Sequence, residues 1–302
     1  MHVLLIAGGW SDEREVSISG AEGIHKALLE LGHEVEFLDP ATDFENILTR
    51  AEHADFAFIN LHGSPGEDGL IQAILNQTNC PYQGSEPEGS FLTLHKAAAK
   101  IIFDKNSIRN PAWELICETE GCKGLEKLSP PVFIKPNSGG SSLGMTLART
   151  DEELKTGIET VFNLGDSALV EDYITGTEVT CAVLDGKPLP LVLITPPEKA
   201  EFFDYHSKYA LDGAEEICPA PIDAALTEEI QQIAIKVHKL LGLSDYSRAD
   251  FIISEGVPYL LEVNTLPGMT PTSLVPRAAK AAGYSFNSLI AKLIELGQSK
   301  RK

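Results

Sequence analysis

The sequence predicts an α/β protein whose C-terminal part is α+β, divided among more than one unit. Three observations carry that expectation. The first part of the chain alternates strand and helix patterns, and the last part sets a long amphipathic helix among branched-chain strand runs. The whole, 302 residues with 43% apolar side chains, lies near the size at which one hydrophobic core gives way to several.

The elements follow in order. HVLLIAG reads as a strand, Glu15 to Leu31 as a helix, HEVEFLD as a strand, FENILTRAEH as a helix and FAFINL as a strand, which is an open α/β pattern. Gly32 follows the last helical leucine, where a left-handed cap is expected. CPYQGSEPEGS is rich in turn residues and precedes a lysine- and alanine-rich helix around Lys96 to Phe103, so a boundary falls near residue 85. PPVFIKP and TLART flank NSGGSSLGM as a hairpin. DEELKTGIETVF is a helix, and SALVEDYI is a strand leading into the third segment, with a boundary near residue 170. The division is thus 1–85, 86–170 and 171–302. In the third segment Leu226, Ile230, Ile233, Ala234, Val237, Leu240 and Leu241 recur at helical spacing before Gly242. EVTCAVLDG, PLVLIT, YSRADFIIS and VPYLLEVNT supply an antiparallel sheet for that helix to cover. Between LVLIT and CPAP runs a stretch of about two dozen residues with four aromatics, Phe202, Phe203, Tyr205 and Tyr209, which reads as a functional lid.

Composition excludes several function classes. With 24 basic against 44 acidic residues the formal charge is −20, the wrong sign for general attraction to nucleic acid or anionic membranes. No run of about 18 apolar residues is present to span a bilayer. MHVLLIAGGW lacks a basic leader and reads as a strand rather than a signal peptide. The cysteines, at 80, 117, 122, 181 and 218, form no CxxC pair, so reduced thiols and a cytoplasmic location are expected. The eight histidines show no HxH or HExxH spacing, so a preformed transition-metal site is not expected.

The stretch richest in chemistry is SRADFIISEGVPYLLEVNT. A hairpin symmetric about Gly256 sets Asp250 opposite Glu262 and Arg248 opposite Asn264, and alternation puts all four on one face. Two carboxylates, an amide oxygen and a guanidinium on otherwise apolar strands suit a Mg²⁺–nucleotide site better than a solvated cross-strand ion pair. NSGGSSLGM, with Lys135 at the preceding strand end, suits an anion, its glycines admitting close backbone approach and Ser141 and Ser142 adding hydroxyl donors. Neither GxGxxG nor GxxxxGK[ST] occurs. GGWSDEREVS opens the first helix, where Glu15 could hold an ammonium group or simply favour the helix dipole. LHGSPGEDG follows a strand at the end where open α/β sheets bind ligands, which singles out His62.

The strings GGWSDEREVS, LHGSPGEDG, IKPNSGGSSLGM, LVEDYITGTEVT, FFDYHSKY, SRADF and LLEVNTLPGMTPTSLVP, in this order from Gly8 to about Pro276, resemble the D-alanine–D-alanine ligases of the ATP-grasp superfamily. The resemblance implies a three-domain ATP-grasp architecture with an N-terminal open α/β domain. It also implies a reaction in which ATP phosphorylates one D-alanine carboxylate and the amine of a second D-alanine attacks the acyl phosphate, a step in peptidoglycan precursor synthesis. By the same resemblance Asp250, Glu262 and Asn264 hold two Mg²⁺ (or Mn²⁺). Lys96, Lys135 and Lys208 contact ATP phosphates, and Glu171 and Glu178 contact the adenine and ribose. Arg248 and the Gly268 N–H stabilise the oxyanion. Glu15 takes the first D-alanine's ammonium, His62 lies near its carboxylate or the leaving oxygen, and Ser273 takes the second D-alanine's carboxylate. Ser141 and Tyr209 bond with Glu15 and tie a lid over the site. A homodimer is expected on the same ground.

Two departures from the family pattern stand out: Trp10 replaces a smaller or polar residue, and His95 precedes Lys96 where aspartate is common. Tyr209 favours the dipeptide over an ester with D-lactate, while D-serine at the second site stays open. Two other classes compete. HVLLIAGG, a helix and HEVEFLDP ending near Asp39 resemble half of a dinucleotide-binding unit, which lacks its third glycine. A catalytically silent nucleotide sensor is opposed by the joint presence of Arg248, Asp250, Glu262 and Asn264.

Overall fold

A computed structural model gives the architecture and describes residues 1–118, 125–140, 144–195 and 215–300. Among these residues the strands form three sheets. The first is parallel, with order β2-β1-β3, from β1 (His2–Ala7), β2 (Glu34–Leu38) and β3 (Phe56–Asn60). Val3 to Ala7 are all fully buried, as a parallel strand covered on both faces requires. Helix α1 (Arg14–Glu30) joins β1 to β2. It stops where Gly32 takes φ +81°, with Gly32 N–H donating to Leu29 and His33 N–H to Leu28, the paired bonds of a Schellman cap. The short helices α2 (Pro40–Asp43) and α3 (Ile47–His53) lead to β3, and α4 (Leu70–Leu75) follows it.

Helices α5 (Pro87–Leu94) and α6 (Lys96–Lys105) come next, then the second sheet, antiparallel with order β4-β7-β5-β6. Its strands are β4 (Trp113–Ile116), β5 (Val132–Pro136), β6 (Thr146–Ala148) and β7 (Ala168–Asp172). The expected hairpin is present, Val132 pairing with Ala148. Helix α7 (Asp151–Asn163) backs this sheet and starts from a capping box of Thr150 and Glu153. One expectation changes here: the strand Ala168–Asp172, expected to lead into the third segment, lies between β4 and β5 of the second sheet. Its run of buried Ala168, Leu169, Val170 and Glu171 is what a central strand needs, and pattern alone does not say which sheet receives it.

The third sheet has order β11-β10-β8-β12-β13, with β9 paired to β8. It contains β8 (Thr177–Leu184), β9 (Lys187–Pro188), β10 (Val192–Thr195), β11 (Glu215–Ile217), β12 (Tyr246–Ser254) and β13 (Val257–Asn264). Helix α8 (Ala224–Leu240) lies on one face, burying Ile230, Ala234 and Val237 with Val179, Cys181, Ala249 and Phe251, and Gly242 caps it at φ +66°. Phe103 of α6 and Ile108 join that core. The chain then adds α9 (Leu274–Ala281) and α10 (Phe286–Ser299), and α10 returns to the first sheet, packing Leu289, Ile290, Leu293 and Ile294 with Phe56 and Phe58.

Gly297 on α10 marks how close that return is: a Cβ there would stand 2.5 Å from the Tyr82 carbonyl oxygen and 2.9 Å from the Phe56 ring. Gly297→Ala should therefore lower stability by about 1–3 kcal/mol through overpacking, despite the ~1 kcal/mol alanine gains in a helix. Urea unfolding of the two proteins measures it, and an equal or higher midpoint for the variant would contradict this packing.

Candidate active site

The site begins with a turn. Glu255 and Gly256 join β12 to β13 with φ of 50° and 78°, the two positive angles of a type I′ hairpin. Such a two-residue turn pairs Ser254 with Val257 and Phe251 with Leu260. Continued unbroken, it would set Glu262 opposite Ala249, on the apolar face under α8. A bulge intervenes: after Phe251 the register shifts, Leu261 is the additional residue, and Asp250 pairs with Glu262 and Arg248 with Asn264. The cross-strand pairs expected from the sequence are present. Their origin is the bulge rather than symmetry about Gly256.

The four side chains form one polar cluster. Arg248 clamps Asp250 through Nε and Nη2, each at 2.8 Å, Thr180 of β8 donates to the same carboxylate at 2.7 Å, and Asn264 Nδ2 donates at 3.1 Å. Glu262 lies across from Asp250 and 3.9 Å from Lys96 Nζ. Glu178 sits two residues from Thr180 on β8, so alternation puts it on the same face. Among the described residues no group of three His, Cys, Asp or Glu is arranged to hold a metal by itself. Two carboxylates and an amide are instead the partial oxygen set that suits Mg²⁺ when phosphates and water complete its shell. A cation held here would share the Asp250 oxygens with the Arg248 and Asn264 N–H groups that now donate to them.

The second sheet brings lysines to this cluster. Lys135, at the end of β5, is buried and 2.5 Å from Glu171 Oε2 on the adjacent β7. Burial opposes its charge, but Glu171 and Glu262 raise its pKa above the usual lysine value. Lys100 of α6 meets the other Glu171 oxygen. The start of α6 is stapled to the glycine-rich loop: Lys96 N–H donates to Asn137 O at 2.9 Å, Ala97 N–H to Asn137 Oδ1 at 2.9 Å, and Lys96 Nζ to the Gly139 carbonyl. Burial lowers the Lys96 pKa, against the pull of Glu262.

The first sheet supplies a third wall, and here two glutamates two residues apart, on opposite sides of the helix start, exchange places. Glu15 is exposed in the first turn of α1, whereas Glu13, at the N-cap, is buried. Glu13 Oε2 lies so close to the glycine loop that a Cβ on Gly140 would stand 2.6 Å from it. Residue type could not separate the two glutamates in GGWSDEREVS; helical phase could, since Ser17 and Glu13 share the buried side. Glu67 of LHGSPGEDG accepts the Gly63 N–H at 2.8 Å, and burial beside Glu13 pushes its pKa up to about 8. His62 is buried, and burial lowers its pKa, with Glu13 opposing and Arg248 reinforcing. Both Glu67 and His62 bond to the backbone of Leu266, in the loop that carries Gly268. Ser273, the N-cap of α9, bonds to Thr270 N–H at 3.2 Å, and its Oγ is 3.1 Å from where a Gly268 Cβ would stand.

The structure thus brings Lys96, Lys135, Glu171, Arg248, Asp250, Glu262 and Asn264 together, with Gly268, Ser273 and His62 beside them, and leaves Glu15 outside. Ser141, Lys208 and Tyr209 lie outside the described residues. Asp39, which a dinucleotide site would offer to a ribose, is spent on Arg14 and on the Gly9 N–H at 2.9 Å. Trp10 is 49% exposed with its ring 5.5 Å from Phe44. The His95 ring lies 4.0 Å from the Phe91 ring, with its Nδ1 2.9 Å from the Phe91 carbonyl oxygen.

Comparison with known proteins agrees with this geometry. The family model described as D-ala D-ala ligase C-terminus matches residues 103–295. A D-alanine–D-alanine ligase of Maridesulfovibrio salexigens is 80% identical over 302 residues, covering 100% of both chains. One from Nitratidesulfovibrio vulgaris is 53% identical over 99% of each. Among solved structures, the Bacillus anthracis ligase complexed with ATP superposes with a TM-score of 0.89 at 34% identity, covering 100% of this chain and 98% of that one. The Coxiella burnetii ligase gives 0.82 at 25% identity, covering 100% of this chain and 94% of that one. The ATP-grasp fold is therefore shared throughout, and the chain belongs to the D-alanine–D-alanine ligase family.

Proposed function

We propose that this chain joins two D-alanines to D-alanyl-D-alanine at the expense of ATP, through an acyl phosphate, for peptidoglycan precursor synthesis. The observation that carries the reading is the opposition of Asp250 and Glu262 across β12 and β13, with Lys96 and Lys135 facing them. Such a site works by positioning and by balancing charge. Asp250, Glu262 and the Asn264 amide would hold two Mg²⁺ (or Mn²⁺), which neutralise phosphate charge and draw electron density from the transferred group. Lys96 and Lys135, with Lys208, meet the phosphates; Glu171 and Glu178 face the nucleoside. Arg248 and the Gly268 N–H take the oxyanion of the tetrahedral intermediate. The first D-alanine's ammonium goes to Glu13 rather than Glu15, the buried carboxylate against the glycine loop, with His62 near its carboxylate. Ser273 receives the carboxylate of the second. Ser141 and Tyr209 keep their implied part in closing the site, which protects the acyl phosphate from water.

The same reading assigns three units, 1–85, 86–170 and 171–302, the first of which borrows α10 from the third for its core. It assigns a cytoplasmic homodimer with no nucleic-acid or membrane partner, in keeping with the net charge of −20.

Phosphate release should require ATP, Mg²⁺ and D-alanine together, and chromatography should show the dipeptide; parallel assays with D-serine, D-lactate and L-alanine read the choice of second substrate. Glu262→Gln should abolish release, by more than about a hundredfold, while the melting temperature stays near wild type. Wild-type turnover in that variant would refute the metal assignment.

Glu67 gives a pH signature without ligand. Its folded pKa of about 8 exceeds its ordinary 4.5, so between these values the folded protein keeps a proton that the unfolded chain releases. Its contribution to stability is full below about pH 4.5 and falls as pH rises toward 8, by at most ~1.4 kcal/mol per pH unit. Glu67→Gln should flatten the urea midpoint across this window relative to wild type, and parallel profiles would overturn it.

A further inference from the structure

Helix α6 sends two lysines one turn apart into the same interior. Lys96 meets the glycine loop and Glu262. Lys100, four residues on, is 0% exposed and lies behind the site, where no substrate atom reaches it in the proposed reaction. A lysine this buried carries a large desolvation cost, and an apolar side chain of similar volume would fill the space without it. Its partners are specific. The ammonium meets Glu171 Oε1 and donates to Asn110 Oδ1 at 3.2 Å, while Asn110 Nδ2 holds Asp104 at 2.8 Å. The second Glu171 oxygen belongs to Lys135.

One carboxylate therefore serves two ammonium groups. With Lys100 present, the three groups carry a net positive charge, and Glu171 aims Lys135 without cancelling it. Without Lys100, Glu171 and Lys135 become a closed neutral pair, and the charge that Lys135 offers an incoming triphosphate is quenched. We infer that Lys100 is a positioning residue of the nucleotide site: by holding one oxygen of Glu171 from behind, it keeps Lys135 both oriented and electrostatically available to the ATP phosphates. This rests on the reading above that Lys135 meets those phosphates. A purely structural ion cluster would affect folding and nothing else.

The test uses the full chain. MgATP affinity is measured by calorimetry without D-alanine, and steady-state KM values for ATP and for D-alanine are measured separately, in wild type, Lys100→Met and Lys100→Gln. Glutamine keeps donors for Glu171 and Asn110 but not the charge, so it guards against loss of fold in the methionine variant, and thermal melting monitored by circular dichroism reports on folding. Each folded variant should bind MgATP about tenfold more weakly, the scale of one charge-assisted contact, and raise KM for ATP alike. KM for D-alanine should stay within about twofold. Wild-type MgATP affinity in folded Lys100→Gln would overturn the inference, as would a loss shared equally between both substrates. If wild type binds MgATP but makes no dipeptide, the proposed function fails, while the affinity comparison still decides the role of Lys100.

Discussion

The arrangement of the site depends on one extra residue in one strand. A type I′ turn at Glu255 and Gly256 aligns the strands so that Glu262 would face the core, and the bulge at Leu261 turns it over to meet Asp250. The same shift keeps both Leu260 and Val263 in the apolar layer under α8, although they stand three positions apart and strict alternation would put them on opposite faces. Core and site are thus satisfied by one irregularity. A slip of one residue would bury a glutamate among Ala249, Phe251 and Val179, at a cost far above what a bulge costs in lost pairing.

Three sheets contribute to that site, so the geometry requires contacts that hold them in register. Asn137 fastens the glycine loop of the second sheet to the start of α6 by backbone and side chain, while Phe103 at the other end of α6 lies in the core of the third sheet. Helix α10 closes the chain back on the first sheet, and Lys300 just beyond it reaches the Gly84 carbonyl and Asp245 at 3.0 Å. Asp245 in turn accepts the Gly84 N–H at 2.8 Å. The crossover from the first unit to the rest is therefore tied by charge-assisted bonds at both the N–H and the C=O of Gly84.

Much of this was legible in the sequence, and the reasons differ from element to element. Gly32 and Gly242 announced helix ends because only a residue without Cβ takes the left-handed cap cheaply, and both do so. Asp250 and Glu262 were paired correctly although the turn was misplaced by half a residue, because the bulge absorbed the error. Glu13 and Glu15 look alike in sequence because both stand at a helix start, and the burial that separates them depends on the glycine loop about 125 residues away in sequence. Lys100 and Glu67 carried no local signal: a lysine in KAAAK reads as solvated until Glu171 is known to lie beside it. The C-terminal helix had a readable period in Leu289, Ile290, Leu293 and Ile294, but nothing in that period names the first sheet as its partner.

The acidity of the chain makes these few cations more informative. An ATP molecule approaching a protein of net charge −20 meets an unfavourable field, yet at cellular salt that field decays over about 8 Å. Within the site, screening is weak and Lys96, Lys100 and Lys135 face Glu171, Glu262 and Asp250 in a water-poor space. The balance there is close to neutral rather than strongly positive, so a triphosphate would enter favourably only in company with divalent cations, which on the proposed reading Asp250 and Glu262 would accept. On the proposed reading, metal and nucleotide would then depend on each other: the carboxylates would need the cations to be relieved of mutual repulsion, and the phosphates would need both the cations and a lysine that its own counter-ion has not silenced. Local charge, arranged by a bulge, a stapled helix and a shared glutamate, outweighs the sign of the whole molecule.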